Sequence, residues 1–404
     1  MILYDVLSPG VPLRARVPLV ASKSESNRAL ILRALAGSAV ELDNLSEARD
    51  TRLLESLLSS EDEVLDARDA GTTLRFLTAW CAAANRPAVI TGTPRMQQRP
   101  VGILVEALRT LGTDIHYEGD EGFPPVRVEG FTQRTREVTM RGDVSSQYTS
   151  ALLLIAPFLP QGLKLTLSGA IASRPYIDMT LEWMRRFGLV VKEDRGCFEV
   201  APQCPQPGRY TIESDWSAAG YWYTLMALAG EGELKLMHLR EASLQGDRVL
   251  ADLFVDLGVQ SEFVEDGVIL RPGPRAGRFE ADFTHIPDQA QTFAVCCAGL
   301  GIPARLTGLR SLRIKETDRI AALETELAKF GCVVRVEGDE AMVLPGTRIH
   351  VKGQTVETYD DHRMAMAFAP LSVLGPLRIA EPEVVQKSYP GFWRDWESLV
   401  GEPK

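Results

Sequence analysis

"LVEALRTLG", Leu104–Gly112, sets apolar residues at helical spacing and ends on glycine, the residue that most readily takes the left-handed backbone of a helix C-terminus. The pattern recurs as "LEWMRRFG" ending at Gly188, "LADLFVDLG" at Gly258 and "LETELAKFG" at Gly331, so the four glycines stand 76, 70 and 73 residues apart. Strand-like residues follow the later three, in "LVVKE", "VQSEFV" and "CVVRVE". A second series interleaves with the first. It begins near Thr72 ("TTLRFLTAW"), Ser146 ("SQYTSALLLIAP"), Trp216 ("WSAAGYWYTLMAL"), Pro287 ("PDQAQTFAVCCAGL") and His362 ("HRMAMAFAPLSV"), at spacings of 74, 70, 71 and 75 residues. Its members are apolar nearly all round, which predicts burial, whereas the first series is amphipathic. Two interleaved series with one period predict a repeated α/β unit holding one buried and one outer helix between short strands. The period is too long for the common solenoids, so a few such units should gather into globular domains.

The bulk composition agrees with that reading. A chain of 404 residues is long enough for two or three domains, and 45% hydrophobic with 24% charged residues is ordinary for a globular protein. A net charge of −10 argues against nucleic-acid and membrane-surface partners, while a local basic site can still attract small anions. The cysteines at 81, 197, 204, 296, 297 and 332 lack metal-ligand spacing and read as reduced thiols of a cytoplasmic protein. The longest apolar runs, Ala151–Leu159 and Phe293–Leu300, are too short to span a bilayer, and no signal segment is expected.

The stretch "SKSESNRALILRALAG", Ser22–Gly37, carries an anomaly of charge. The N-terminus of a helix is the positive end of its dipole, and a cation there is disfavoured by about 0.3–1 kcal/mol. Yet Lys23 and Arg28 lie near this start. Arg75 follows "DAGTT", Arg95 and Arg99 precede Pro100 as an expected first helical residue, and Arg174 precedes "PYIDMTLEWM". Lys315 and Arg319 open "KETDRIAALETEL", and His362 and Arg363 open "HRMAMAF"; Lys387 and the hydroxyls of "SSQYTS" extend the set. Taken singly, each has an ordinary structural reading: a solvated surface cation, an ion pair within "KETDR", a core histidine, an N-cap in "SSQ". Taken together, they converge on a site for multiply charged small anions, held by free helix N–H groups and cations. Two acids fit within it. Asp288 in "IPDQAQTFAV" reads alone as a capping acid, and Glu316 lies between Lys315 and Arg319, where cations can poise it for proton transfer. No zinc motif, phosphate-binding P-loop, nucleophile elbow or dinucleotide fingerprint is present.

The blocks "SKSESNRAL", "DAGTTLRFLTA", "GTPRMQQRPVGILVEALRTLG", "VSSQYTSALLLIAP", "SRPYIDMTLEWMRRFG", "IPDQAQTFAV", "RIKETDRIAALETEL", "YDDHRMAMAF" and "VVQKSYPGFW" resemble, in order and over almost the whole chain, the motifs of the 5-enolpyruvylshikimate-3-phosphate synthase family. The resemblance implies an α/β fold of two similar domains, each of three βαβαββ units (the enolpyruvyl transferase fold, an inside-out α/β barrel), with ligands in the interdomain cleft. It implies a discontinuous domain of residues 1–20 with 213–404, and a second domain of 21–212. It further implies transfer of the enolpyruvyl group of phosphoenolpyruvate to the 5-hydroxyl of shikimate 3-phosphate, with release of phosphate, by a cytoplasmic monomer using no metal and no organic cofactor.

Carried over by motif, Ser145, Ser146, Ser173 and Tyr176 are implied to hold the 3-phosphate and ring of shikimate 3-phosphate. Lys23, Ser24 and Arg28 border it, Asp288 and Lys315 reach its hydroxyls, and Ser311 stands at a ring-contact position. Lys23, Gly71, Arg99, Gln147, Arg319, Arg363 and Lys387 match the residues around phosphoenolpyruvate, Gln147 serving both substrates. Lys23, Asp288, Glu316 and His362 are the candidate catalytic groups, with no step assigned to any one of them. Departures from the family pattern are Glu25 for an apolar or small residue, Asp69 for Asn, Phe76 for Pro, Arg174 for Lys and Ser311 for Asn. Asp69 and Phe76 bear on sensitivity to glyphosate, the family's phosphoenolpyruvate-site inhibitor. Glu25 matches the helix dipole and is expected to point to solvent, or else to pair with a neighbouring cation. The rival enolpyruvyl transferase acting on UDP-N-acetylglucosamine typically carries a reactive cysteine near the position of "TPRMQQRP", which has none. A lapsed, anion-binding homologue is the remaining alternative, against which Lys23, Asp288, Glu316 and His362 stand intact.

Overall fold

The glycine-ended helices and the buried helices both form. The structure, a computed structural model, describes residues 2–37 and 40–400. Its helices are α1 (Lys23–Ala36), α2 (Arg49–Ser59), α3 (Gly71–Ala83), α4 (Gly102–Leu111), α5 (Ser146–Ile155), α6 (Arg174–Arg186), α7 (Trp216–Ala229), α8 (Leu250–Leu253), α9 (Ala290–Leu300), α10 (Arg319–Ala328), α11 (His362–Phe368) and α12 (Phe392–Glu397). The second series of the sequence corresponds to α3, α5, α7, α9 and α11, which are buried nearly all round. The first corresponds to α4, α6, α8 and α10. Helix α4 buries one stripe, Leu104, Val105, Ala107, Leu108 and Leu111.

Some expected boundaries shift. "LADLFVDLG" is α-helical only over Leu250–Leu253; Phe254, Val255 and Asp256, all weak helix formers, continue as turns to Gly258. Pro100 is not the first helical residue, because α4 starts at Gly102 after Val101. Lys315 and Glu316 precede α10, whose N-cap is Asp318.

The chain divides into two units, Met1–Ala21 with Glu213–Lys404, and Ser22–Ile212. The Ser22–Ile212 unit holds two four-stranded sheets of the same topology. In one, Val64–Asp66 runs parallel to Ala88–Thr91, which pairs antiparallel with Val126–Phe131, and that with Thr113–Tyr117. In the other, Glu137–Arg141, Leu163–Ser168, Cys197–Val200 and Lys192–Asp194 repeat this order. A parallel pair, Val40–Asp43 with Gly208–Thr211, joins residues from the two ends of the unit.

The other unit repeats the scheme twice. Leu13–Val17, Gly232–Met237, Gly267–Pro272 and Val259–Val264 form one sheet; Phe279–Asp282, Pro303–Thr307, Ala341–Pro345 and Arg335–Glu337 form the next. Its third sheet pairs Gln354–Val356 with Leu377–Ala380, and that with Leu3–Val6 from the start of the chain. Each four-stranded sheet thus joins one parallel crossover, which needs a helix, to an antiparallel hairpin. The buried helices form the core between sheets, and here Trp222 stacks on Trp396 at 5.7 Å. No described helix is long and apolar enough to cross a membrane.

Candidate active site

In the Ser22–Ile212 unit, helix starts bring the candidate residues together in sequence-determined positions. Ser22 caps α1, accepting from the Glu25 N–H at 3.4 Å, as expected where Ser is followed three residues on by Glu. Lys23 is therefore the first helical residue, and its Nζ lies 3.1 Å from Asp50 Oδ2. Asp50 is buried, and its Oδ1 has no hydrogen-bond partner among the described residues.

Glu25 corrects the expectation of a solvent-facing carboxylate: it is fully buried, and its charge acts on the Arg28 guanidinium. Arg28 lies in the second turn of α1 and is directed inward. It donates from Nε to Thr180 Oγ1 (2.8 Å), from Nη1 to the Ser24 carbonyl (2.8 Å), and from Nη2 to Ser150 Oγ (3.3 Å) and the Tyr176 carbonyl (3.1 Å). Phe76, where the family pattern has Pro, lies beneath it at 5.7 Å. Burial lowers the Arg28 pKa to about 10, against the opposing charges of Tyr176 and Glu25. Arg28 ties α1 to α5 and α6 while bordering Ser24 and Tyr176.

Gly71, the first residue of α3, lets the backbone approach two arginines. A Cβ there would lie 2.8 Å from Arg75 Nη1 and 2.8 Å from Arg99 Nη1. Arg75 donates to the Gly71 and Pro100 carbonyls at 2.9 and 3.0 Å. Arg99 is buried, and its Nε has no hydrogen-bond partner among the described residues. A buried guanidinium nitrogen left without a hydrogen-bond partner is costly, and a bound anion would satisfy it. Gln147 donates to Thr72 Oγ1 at 3.1 Å, bringing the start of α5 beside the start of α3. Ser145 caps α5, and buried Ser146 is its first residue. Ser173 precedes α6 in the left-handed region (φ 51°), and Tyr176 follows in its first turn. Asp69 is bound by Arg49 Nη2 at 2.7 and 2.8 Å, which offsets its charge. Arg174 pairs with Asp178 and Glu193, both at 2.7 Å.

In the other unit, a network is centred on Asp288, in the short Pro287–Gln289 turn before α9. Its Oδ1 receives Arg319 Nη1 at 2.9 Å and Lys315 Nζ at 3.5 Å; its Oδ2 receives Arg363 Nη2 at 2.9 Å. Arg319, 1% exposed, extends Nε to Asp361 Oδ2 at 2.7 Å and Nη2 to Glu316 Oε2 at 2.9 Å. Lys387 Nζ lies 3.7 Å from Glu316 Oε1. Asp361 caps α11 by accepting from the Arg363 N–H at 2.9 Å, and His362 Nδ1 lies 3.6 Å from Asp361 Oδ1. Arg363 Nη1 also donates to the Tyr221 hydroxyl at 3.3 Å. Ser311 lies half-buried on the Arg310–Ile314 turn.

Burial alone would raise the proton affinity of Asp288, but Arg363, Lys315 and Arg319 outweigh it and the charge of Glu316, holding the carboxyl well below its usual range. Burial opposes the Arg319 charge, yet Asp361, Glu316 and Asp288 raise its pKa above the ordinary value despite Arg363. The cations Lys315, Arg319, Arg363 and Lys387 gather around the carboxylates Asp288, Glu316 and Asp361, and charge-assisted hydrogen bonds from such cations suit a bound anion. Asp50 and Asp361, both essential to these networks, were not among the residues expected from the sequence. The "DDHR" run was a signal for Asp361, a capping acid directly before two basic residues.

A family model described as EPSP synthase (3-phosphoshikimate 1-carboxyvinyltransferase) matches residues 52–396. A 3-phosphoshikimate 1-carboxyvinyltransferase of Bacteroides fragilis is 48% identical over 395 residues, covering 96% of each chain. One of Methanoculleus marisnigri is 37% identical over 419 residues, covering 97% of each. Among solved structures, an EPSP synthase from Acinetobacter baumannii matches with a TM-score of 0.77 at 19% identity over 98% of both chains, a likeness of fold.

Proposed function

The chain belongs to the EPSP synthase family and transfers the enolpyruvyl group of phosphoenolpyruvate to shikimate 3-phosphate; from that premise we propose which of its residues carry the reaction. In the chemistry, the methylene carbon of phosphoenolpyruvate gains a proton while the 5-hydroxyl of the acceptor adds to C2. The tetrahedral intermediate then loses phosphate and a proton from the same methyl carbon. The protein must therefore hold several anionic groups and supply both an acceptor and a donor of protons.

In the Ser22–Ile212 unit, Ser145, Ser146, Gln147, Ser173 and Tyr176 take the phosphate and ring of shikimate 3-phosphate, bordered by Lys23, Ser24 and Arg28. The start of α5, the positive end of the helix dipole with Ser145 and Ser146 on it, supports the phosphate assignment. Gly71, Arg99, Gln147 and Lys23 contact phosphoenolpyruvate. In the other unit, Arg319, Arg363 and Lys387 take its charged groups, while Asp288, Lys315 and Ser311 take hydroxyls of the acceptor. The proton-handling set is Lys23, Asp288, Glu316 and His362.

One observation carries this reading: the three cations converging on Asp288. They keep it ionised at neutral pH, and a carboxylate so held gains basicity when a substrate anion loosens the cations' hold on it. Asp288 accordingly takes the proton of the acceptor hydroxyl. The chain acts as a cytoplasmic monomer, and its free cysteines, four of them buried, fit a reducing compartment.

The test is release of inorganic phosphate from a mixture of shikimate 3-phosphate and phosphoenolpyruvate, at steady turnover in the wild type and at least ~100-fold slower in Asp288→Asn. Wild-type turnover in that variant would overturn the assignment of Asp288.

A further inference from the structure

Glu326 occupies an unexpected place. It lies on the inward stripe of α10 with Arg319, Ile320, Ala322, Leu323 and Leu327, and is fully buried. Its Oε1 accepts from the Tyr359 hydroxyl at 2.7 Å. Its Oε2 accepts from Lys329 Nζ at 2.6 Å and the Glu357 N–H at 3.1 Å. Lys329 Nζ in turn donates to the Thr355 carbonyl at 3.0 Å. A buried carboxylate is retained only where such partners compensate its lost hydration. Here the partners across the fold all belong to the segment leading into α11.

That segment is strained. Tyr359 and Asp360 have φ of 54° and 56°, two consecutive left-handed residues of which neither is glycine. Such a conformation persists only where the surroundings over-determine it. The next residues are Asp361, which binds Arg319, then His362 and Arg363. Helix α10 therefore holds the entry to α11 at two points two turns apart: Arg319 grips Asp361, and Glu326 grips the turn just before it.

We propose that Glu326 is a positioning residue for phosphoenolpyruvate binding, clamping the Tyr359–Asp360 turn so that Asp361 and Arg363 meet Arg319 and Asp288 in the productive arrangement. This rests on the reading that Arg319 and Arg363 hold phosphoenolpyruvate.

The test is steady-state kinetics of Glu326→Gln, Asp360→Gly and the double variant, with Arg363→Gln in parallel. Glu326→Gln is expected to raise the KM for phosphoenolpyruvate about tenfold and leave the KM for shikimate 3-phosphate within about twofold, since the contacts misplaced, those of Arg319 and Arg363, are assigned to phosphoenolpyruvate. Loss of folded protein alone would lower the apparent kcat and move neither KM. Glycine takes the left-handed conformation freely, so Asp360→Gly alone behaves as wild type and, added to Glu326→Gln, recovers most of the lost affinity. If Glu326→Gln does not fold, Tyr359→Phe removes one of the clamp's hydrogen bonds and carries the same test, with an expected rise of about threefold. An unchanged KM for phosphoenolpyruvate in Arg363→Gln overturns the site reading beneath the proposal. A raised KM there, with Glu326→Gln unchanged or its loss not recovered by Asp360→Gly, overturns the clamp alone.

Discussion

Replacing Gly71 by alanine should separate binding from folding. At the start of a helix, Gly→Ala ordinarily adds about 0.4–1 kcal/mol by restricting the unfolded chain. Opposing this, the new Cβ would lie 2.8 Å from Arg75 Nη1, 2.8 Å from Arg99 Nη1 and 2.9 Å from Arg99 Cζ. An unstrained contact needs about 3.5 Å, so the guanidinium groups must withdraw by roughly 0.7 Å. They are the ends of long side chains, and the fold absorbs that shift. A bound anion does not, because a misplacement of about 1 Å can cost about 10²-fold. The expected result is a KM for phosphoenolpyruvate raised about tenfold or somewhat more, equivalent to about 1.4 kcal/mol per decade. The KM for shikimate 3-phosphate and the urea midpoint should stay near wild type. Steady-state phosphate release at varied phosphoenolpyruvate, with urea melts on the same preparations, measures both. An unchanged KM would refute the placing of Arg99 at the anion, and a lost midpoint with normal KM would mean that Gly71 serves packing alone.

Lys23→Ala should lower turnover at least ~tenfold and, by leaving buried Asp50 without its cation, lower stability by about 1–3 kcal/mol; wild-type phosphate release would remove Lys23 from the site. Glu316→Ala should likewise slow turnover at least ~tenfold while the protein still folds, as near-ultraviolet circular dichroism can check; a wild-type rate would remove its assigned role. Asp288 gives a pH signature. Its folded pKa is depressed, so its ion pairs stabilise the protein above the unfolded carboxylate value of about 4 and cease to do so as pH falls through the lower folded value. The gap between wild type and Asp288→Asn in urea midpoint should therefore narrow below about pH 4; a gap constant from pH 3 to 6 would refute the ion-pair account.

The repeat was legible because each of its marks is a local demand of the backbone. Gly112, Gly188, Gly258 and Gly331 have φ of 116°, 75°, 84° and 88°, which disfavours other residues whatever the tertiary context. The buried helix series was legible because a helix apolar all round has nowhere else to go. Reading failed where a side chain's meaning depends on a partner distant in sequence. Asp50 acquires its role from Lys23, 27 residues away, and Asp361 from Arg319, 42 residues away. Arg28 and Arg75 were grouped with the helix-start cations, yet both lie in second turns, where their guanidinium groups reach back to carbonyls four residues earlier. Glu25 matched the dipole rule, which left a solvent-facing carboxylate or one paired with a neighbouring cation; it is buried, and its charge acts on Arg28. The rule concerns charge along the helix axis and says nothing about which face is covered.

The cations that do begin helices now have a physical account. Lys23, Arg319 and Arg363 stand within the first two positions of α1, α10 and α11, where the dipole opposes them. Each has a carboxylate beside it: Asp50 at 3.1 Å, Asp361 at 2.7 Å and Asp288 at 2.9 Å. Those acids hold the cations in place, so an incoming anion meets groups already oriented. The same pairing links binding to proton transfer. Arg363 is the largest of the charges depressing the pKa of Asp288. On the proposed assignment, a substrate anion that draws Arg363 away would weaken that hold and raise the carboxylate's affinity for a proton at the step where the acceptor hydroxyl gives one up. An acid permanently locked in its ion pairs would be a poor base, whereas one released by the substrate gains basicity at the step that uses it.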